Sequence, residues 1–254
     1  MRSVLIALWR SSNPLARALR ASYRGVVSFS LPLPRPLAAI WVLPFALVLA
    51  GWRWCLRVLV VEPMLRSHAT RIGARLRVGS HLPFTMGRGT LVIGSDVYLA
   101  GKISFLFAWR DEPAVIRIGD HVYIGHNALL SAARGIEIGD HCLFSNDVSI
   151  LDSPGHPLDP TRRRQGTPPN DDEIRPVRIG RNVWLGLGVL VLPGAEIGDD
   201  SVIAAHSVVT GAIPSGVLAA GAPARVIRPL TAAPDRERIE GSAPVAHRAI
   251  GDVA

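Results

Sequence analysis

IGRNVWLGLGVLVLPGAEIGDDSVIAAHSVVT, residues 179–210, places an apolar residue at every sixth position: Ile179, Leu185, Val191, Ile197, Ile203 and Val209. A period of six is neither the 3.6 of an amphipathic helix nor the bare alternation of a strand. Small residues follow most of these positions, as in Ile179-Gly180, Leu185-Gly186, Ile197-Gly198 and Ile203-Ala204. A short strand that points its apolar residue inward and then turns on a small residue meets both demands, because the small side chain lets the backbone bend tightly. Three such units close one coil of a triangular prism. Stacked coils bury an apolar ladder and pair their backbones with the coils above and below.

The same register extends upstream. Ile118, Ile124 and Leu130 keep it, as do Ile138, Phe144 and Ile150, then Ile93 and Leu99, and more faintly Ile72 and Val78. Four of these positions open the related phrases IGDHVYIG, IGDHCLFS, IGRNVWLG and IGDDSVIA. The expected architecture is therefore an all-β domain, a parallel β-helix over residues 72–228, preceded by an N-terminal helical segment, residues 1–71. The tail, residues 229–254, is polar and without repeat, and is expected to be disordered.

One interruption stands out. Ile150 and Ile179 are 29 positions apart, which is not a multiple of six, and the gap is rich in Pro, Asp and Arg. It reads as a loop, residues 151–178, thrown out from one corner of the prism and carrying His156 within SPGHPLDP, residues 153–160. A loop on a rigid scaffold is where function tends to be placed.

The chain's basicity is local. Residues 1–77 hold 12 Arg and a single acid, Glu62, whereas the remainder has 16 basic and 19 acidic residues. A basic segment rich in Leu, Trp and Val, with no Lys and no base-stacking motif, fits an anionic membrane surface better than a nucleic acid. Between Arg35 and Arg53 lie 17 uncharged residues, PLAAIWVLPFALVLAGW, at the short limit for crossing a bilayer. Arg2, Arg10, Arg17, Arg20, Arg24 and Arg35 precede this run, and Arg53, Arg57, Arg66, Arg71, Arg75 and Arg77 follow it. The positive-inside rule holds both flanks in the cytoplasm, so a single span is disfavoured. A helix broken at Pro44 that re-enters, or one lying in the interface, satisfies it, and VLIALWRSSNPLARALRASYR, residues 4–24, has the alternation of an interfacial helix. A buried helix capping the next domain is the non-membrane alternative. The two cysteines, Cys55 and Cys142, lack the paired spacing of a disulfide framework or zinc site and are expected as free thiols.

The repeat resembles the hexapeptide-repeat, left-handed parallel β-helix acyltransferases. Residues 179–228, ending in VLAAGAPARVIR, are similar to their galactoside, maltose and exopolysaccharide O-acetyltransferase branch. This resemblance implies a homotrimer with active sites between subunits, acetyl-CoA as acyl donor and a saccharide or glycolipid acceptor. GHP-x-D in the loop matches the family's catalytic-histidine loop, which makes His156 the general base. An imidazole suits removal of a hydroxyl proton at neutral pH. Asp152 and Asp159 lie near it in sequence as candidate partners, Asp159 also as an acceptor contact.

By the same resemblance Asn127 contacts the acceptor. Ala133 and Arg134 stand where that branch has an acceptor-binding Asp, which leaves the acceptor's identity open. Trp184, Gly186, Ala205, Thr210, Arg225 and Arg228 match residues lining the coenzyme A groove, although Leu187 and Gly211 replace a serine and a lysine often found there. The basic run Arg162, Arg163 and Arg164 is either a phosphate contact or a solvated face. Carbonic anhydrase relatives of the same prism bind zinc through three histidines, but Ser131 stands where a partner of His126 would be, so no metal is expected. The implied location is the cytoplasmic face of a bacterial inner membrane, peripheral or monotopic. The rival readings are an acyl-carrier-protein-dependent acyltransferase of the same fold and a non-catalytic trimeric scaffold at the membrane.

Overall fold

The computed structural model describes residues 13–30, 32, 34–79 and 81–230. The readings made on Arg2 and Arg10, and on the tail beyond Leu230, lie outside the described residues. The chain divides into two compact units, Met1–Leu49 and Ala50–Ala254.

Helix α1, Pro14–Val27, opens the described part of the first unit. The Asn13 side chain accepts from the Leu15 N–H at 3.0 Å, and Pro14 supplies the fixed φ suited to a first helical position. Arg17, Arg20 and Arg24 recur at spacings of three and four and share one face, while Leu15, Leu19 and Val26 take the other. Helix α2, Arg35–Leu56, follows, and Pro44 lies inside it. The chain therefore does not break at Pro44 and re-enter. A proline there removes one N–H and crowds the carbonyl four residues back, a local loss that a long helix can absorb. Leu37, Ile40, Leu43, Phe45, Leu47 and Val48 are all more than half exposed. With the π-helical turn Arg57–Val61 and helix α3, Glu62–His68, the helical run reaches 34 residues, long and apolar enough to cross a membrane. Val61 and Leu65, each 1% exposed, belong to the core of the second unit, so helical capping begins ahead of the boundary expected at residue 71.

The second unit is a left-handed parallel β-helix with three faces. Face A stacks seven strands, Arg71–Ile72, Gly89–Ile93, Ala114–Ile118, Gly135–Ile138, Val177–Ile179, Glu196–Ile197 and Ala212–Ile213. Face B stacks Arg77–Val78, Tyr98–Leu99, Tyr123–Ile124, Leu143–Phe144, Trp184–Leu185, Val202–Ile203 and Val217–Gly221, and Ala224–Pro229 turns back antiparallel to close it. Face C stacks Phe84–Met86, Ile103–Phe107, Ala128–Ala132, Ser149–Leu151, Leu190–Val191 and Val208–Val209. The six-residue register is the sheet register: Ile93, Ile118, Ile138, Ile179, Ile197 and Ile213 are direct neighbours on face A. Leu99, Ile124, Phe144, Leu185 and Ile203 are direct neighbours on face B. All of these side chains are buried.

Corners turn through left-handed backbone. Arg75, Asp96, His121, His141, Asn182 and Asp200 occupy it between faces A and B, and Asn127, Asp147, Gly188 and His206 between faces B and C. Asn, Asp and His tolerate positive φ better than most residues, and here they also bond from coil to coil. Asn182 donates to Asp200 and Asn127 to Asp147, each at 2.8 Å, and the His121 and His141 rings stack at 4.7 Å.

The outer rows differ by face. Face A carries Arg117, Glu137, Arg178 and Glu196, with Arg178 within 3.7 Å of Glu137 and 3.1 Å of Glu196. Face B carries Tyr98, Tyr123, Leu143, Trp184, Val202 and Leu218. Face C carries Phe84, Leu129, Leu190 and Val208, with Ser104 and Ser149 between.

Candidate active site

The insert leaves face C after Leu151 and returns on face A at Val177. Both roots are pinned through one residue. Asp152, fully buried, accepts from the backbone N–H groups of Ala133, Arg134 and Gly135 at 2.6 to 2.7 Å, while its carbonyl accepts from the Arg175 N–H at 2.9 Å. Burial pushes its carboxyl pKa up, and the three N–H donors pull against that shift. With both oxygens committed to the corner, Asp152 is not the orienting partner of His156.

Within the insert, Gly155 takes φ +79°, and nothing lies within 4 Å of where its Cβ would be. The turn therefore points outward, and His156, which follows it, is exposed. Pro157, next in line, is buried, and its carbonyl and that of Leu158 both accept from Arg163 Nη1, at 3.1 and 3.0 Å. The Leu158 N–H donates to Glu173 Oε1 at 2.8 Å, and the Asn170 N–H to Glu173 Oε2 at 2.6 Å. Those two donors hold the Glu173 carboxyl below the usual range. Asp159 caps the short helix α4, Pro160–Arg164, by accepting from the Arg162 N–H at 2.8 Å. Arg162 bonds to Asn170 Oδ1 and to the Pro168 carbonyl. Two of the three arginines in the basic run thus brace the loop. Among the described residues no side chain hydrogen-bonds the His156 ring, which leaves both nitrogens open to a substrate hydroxyl.

The proposed groove residues lie on other parts of the prism. Trp184, 48% exposed, projects from face B, and its indole N–H reaches Ser145 Oγ at 3.4 Å. It shares an outer row with Val202, Leu218 and Arg228. At about 4.8 Å per rung, that row sets Trp184 and Arg228 about 14 Å apart. Gly186 turns the corner between faces B and C, and a Cβ there would stand 2.6 Å from the Ala205 nitrogen of the next coil. A small residue is required at that position. The Gly186 N–H is used by the Ile203 carbonyl at 2.8 Å, so it does not serve as an oxyanion donor. Arg225 and Arg228 are exposed and bond only to nearby backbone carbonyls, of Ala224 and Pro229. An exposed indole, a narrow corner and two cations on the closing antiparallel strand, one of them ending the row, fit a thioester cosubstrate that has a slim pantetheine arm and a phosphorylated nucleotide.

Asn127 shares the corner between faces B and C with Gly186 and is tied to Asp147, whereas Thr210 is exposed just beyond face C. Within one chain, then, His156 and Thr210 flank the corner between faces C and A, and Trp184, Gly186, Ala205 and Asn127 lie along face B and the next corner. His126 Nδ1 accepts from the Lys102 N–H at 3.3 Å, and its ring meets His81 edge-on at 5.2 Å. Among the described residues no group of three or more His, Cys, Asp or Glu is placed to hold a metal ion.

Sequence reasoning missed a second loop at the insert's own corner, residues 108–113, between the face C strand Ile103–Phe107 and the face A strand Ala114–Ile118. The signal was available, since Phe105 and Ile118 are 13 positions apart rather than six or twelve.

Family comparison agrees with this architecture. The family described as "Bacterial transferase hexapeptide (six repeats)" matches residues 176–211, and "Hexapeptide repeat of succinyl-transferase" matches residues 115–151. A Mycobacterium tuberculosis protein named as an acetyltransferase, Rv3034c, is 32% identical over 222 residues, 87% of this chain and 68% of its own. The chain belongs to the hexapeptide-repeat acetyltransferase family. Within it, the galactoside O-acetyltransferase of Escherichia coli is 38% identical over 137 residues, 52% of this chain and 64% of the relative. The chain spans about three-fifths of the length of such curated relatives. Among solved structures, AntD, an N-acyltransferase from Bacillus cereus in complex with dTDP and coenzyme A, shares the fold with a TM-score of 0.54. It is 17% identical, over 67% of this chain and 89% of AntD.

Proposed function

We propose that this chain is a coenzyme-A-dependent O-acetyltransferase that moves an acetyl group from acetyl-CoA to a hydroxyl of a saccharide or glycolipid. The observation that carries the reading is His156, held outward by the Gly155 turn and the buried Pro157 on a rigid β-helix of an acetyltransferase family. His156 takes the hydroxyl proton as the acceptor oxygen attacks the acetyl carbonyl, and afterwards returns a proton to the departing thiolate. The thioester supplies an activated acetyl group and a good leaving group. Trp184, Gly186, Ala205, Arg225 and Arg228 hold the donor, with the two guanidiniums toward its phosphates. Asn127 and Asp159 remain assigned to the acceptor side by resemblance.

The protein works as a homotrimer. Face A pairs Glu137, Arg178 and Glu196 within the chain, whereas faces B and C present apolar outer rows that a second and third copy would cover. A complete site then combines His156 of one copy with the face B groove of its neighbour. Helix α2, apolar on every side, supports attachment to the cytoplasmic face of a bacterial inner membrane, where a lipid-linked precursor of exopolysaccharide, capsule or lipopolysaccharide would be the acceptor.

Release of free thiol from acetyl-CoA in the presence of saccharide acceptors tests the activity directly. His156→Ala is expected to lower turnover by about 10²- to 10⁴-fold with the melting temperature unchanged, because the side chain is in solvent. Unchanged turnover would remove the catalytic assignment. Transfer from an acyl carrier protein but not from acetyl-CoA would favour the rival donor, and no transfer from either would favour the scaffold.

A further inference from the structure

We propose that the acyl acceptor carries an acidic group, carboxylate or phosphate, recognised by Arg110 and Arg134 at the root of the histidine insert. The inference rests on the acetyl-transfer reading and specifies its acceptor.

Arg110 belongs to the loop of residues 108–113, which leaves the corner between faces C and A. Arg134 stands at the same corner one coil on, and the His156 insert departs from the next coil. Arg110 Nη2 bonds to Asp171 Oδ1 of that insert, and Arg134 Nη2 lies 3.8 Å from the same oxygen. Two guanidiniums thus converge on one carboxylate. The Asp171 side chain is 74% exposed and the Arg110 side chain 25%. A solvent-exposed carboxylate is a weak competitor, so a planar or tetrahedral anion offering two oxygens can join or displace it. Asp111 and Glu112, which follow in the loop, and Asp172, beside Asp171, form no ion pair with either arginine among the described residues, and Glu173 is spent on two backbone N–H groups.

The backbone that carries Arg134 is anchored. Asp152 fixes the backbone of Arg134 through its N–H and those of both neighbours. Trp109, 74% exposed and adjacent to Arg110, offers a flat apolar face to the C–H side of a pyranose ring. His156 is also within reach. It lies two positions from Leu158, whose N–H is bonded to Glu173 at 2.8 Å, and Glu173 lies two positions from Asp171. At no more than about 3.6 Å per residue, plus one side chain and that hydrogen bond, the Cα-to-Cα span from His156 to Asp171 is at most about 22 Å, the scale of a short oligosaccharide.

The test uses the full chain with acetyl-CoA and two matched pairs of acceptors, methyl glucuronide against methyl glucoside and glucose 1-phosphate against methyl glucoside. Titration of the same probes into His156→Ala reports binding independently of turnover. One acidic probe is expected to exceed its neutral partner in kcat/KM by about tenfold or more, and which one does separates carboxylate from phosphate. Arg134→Gln should cut that ratio by about tenfold, mainly through KM. Asp171→Asn should lower KM for the acidic probe, an improvement that a merely structural role would not produce. Arg181→Gln, a charge removed at the corner between faces A and B, should leave the ratio unchanged and controls for overall charge. Equal use and equal binding of acidic and neutral probes would overturn the proposal while acetyl transfer stands. Absence of both acetyl-CoA binding and transfer would overturn the functional reading, and this inference with it.

Discussion

Asp152 carries more of the site than its place in the sequence announces. Its carboxylate has no solvent contact and serves three N–H groups that lie 17 to 19 residues back, on the preceding coil. Nothing local in ILDSPG marks that role, because the partners become neighbours only when one coil stacks on another. Replacing Asp152 by Ala leaves those N–H donors without partners, each costing about 1–3 kcal/mol. We expect urea melts to report a loss of at least about 3 kcal/mol, with faster amide exchange across residues 153–175. A loss below about 1 kcal/mol would mean that water replaces the carboxylate without penalty. Cys142 offers a second check on the same core. Burial pushes its thiol pKa up to about 11, and the thiol donates to the Gly180 carbonyl at 3.1 Å. A thiol so shifted is protonated at pH 8, and the thiolate is the reactive form. In the native protein at that pH, iodoacetamide should leave Cys142 unlabelled until denaturant is added. Rapid native labelling of Cys142 would contradict the closed coil packing.

The elements were legible to different degrees, for a physical reason. Each six-residue unit writes its inward residue into the sequence, so Ile179, Leu185 and Val191 located faces A, B and C in order. The insert was visible as a broken period, and His156 as its conspicuous residue. Its internal bracing was not, because the Leu158–Glu173 and Arg163–Pro157 bonds follow no period. Helix α2 was legible as apolar but not as continuous, since Pro44 reads equally as a break or a tolerated defect. The exposed Leu and Val side chains around it have no covering apolar partner among the described residues, and lipid would supply one. Full-length protein should accordingly pellet with membranes in low salt and resist extraction by high salt. Leu43→Asp with Leu47→Asp should shift it to the soluble fraction, since each charge costs about 2.5–3.5 kcal/mol near the centre of an inserted helix. Both side chains are more than 60% exposed, so the β-helix core is untouched by the change. Full-length protein that stays soluble in low salt would end the membrane assignment.

At the scale of the whole molecule, one arrangement separates a subunit that is active alone from one that is not. His156 hangs from the corner between faces C and A, while Trp184, Gly186 and Ala205 line face B and the corner beyond it. A prism is rigid, and its coil register fixes those positions, so a loop motion alone does not bring the two sets together. The cyclic trimer proposed above would, because each interface in a ring joins one patch to a different patch on the next copy. The consequence is complementation between two inactive variants. His156→Ala removes the base, and Ala205→Trp fills the groove from an exposed position without entering the core. Each homotrimer should be inactive. If the variants are unfolded together, refolded as a mixture and assembled at random, about one interface in four pairs an intact histidine with an intact groove. About a quarter of wild-type turnover should then return, and light scattering should find the mixture at three times the subunit mass. A mixture that stays inactive although heterotrimers form would place both halves of the site within one chain. The corner-to-corner separation would then have to be closed by a rearrangement of the insert rather than by assembly.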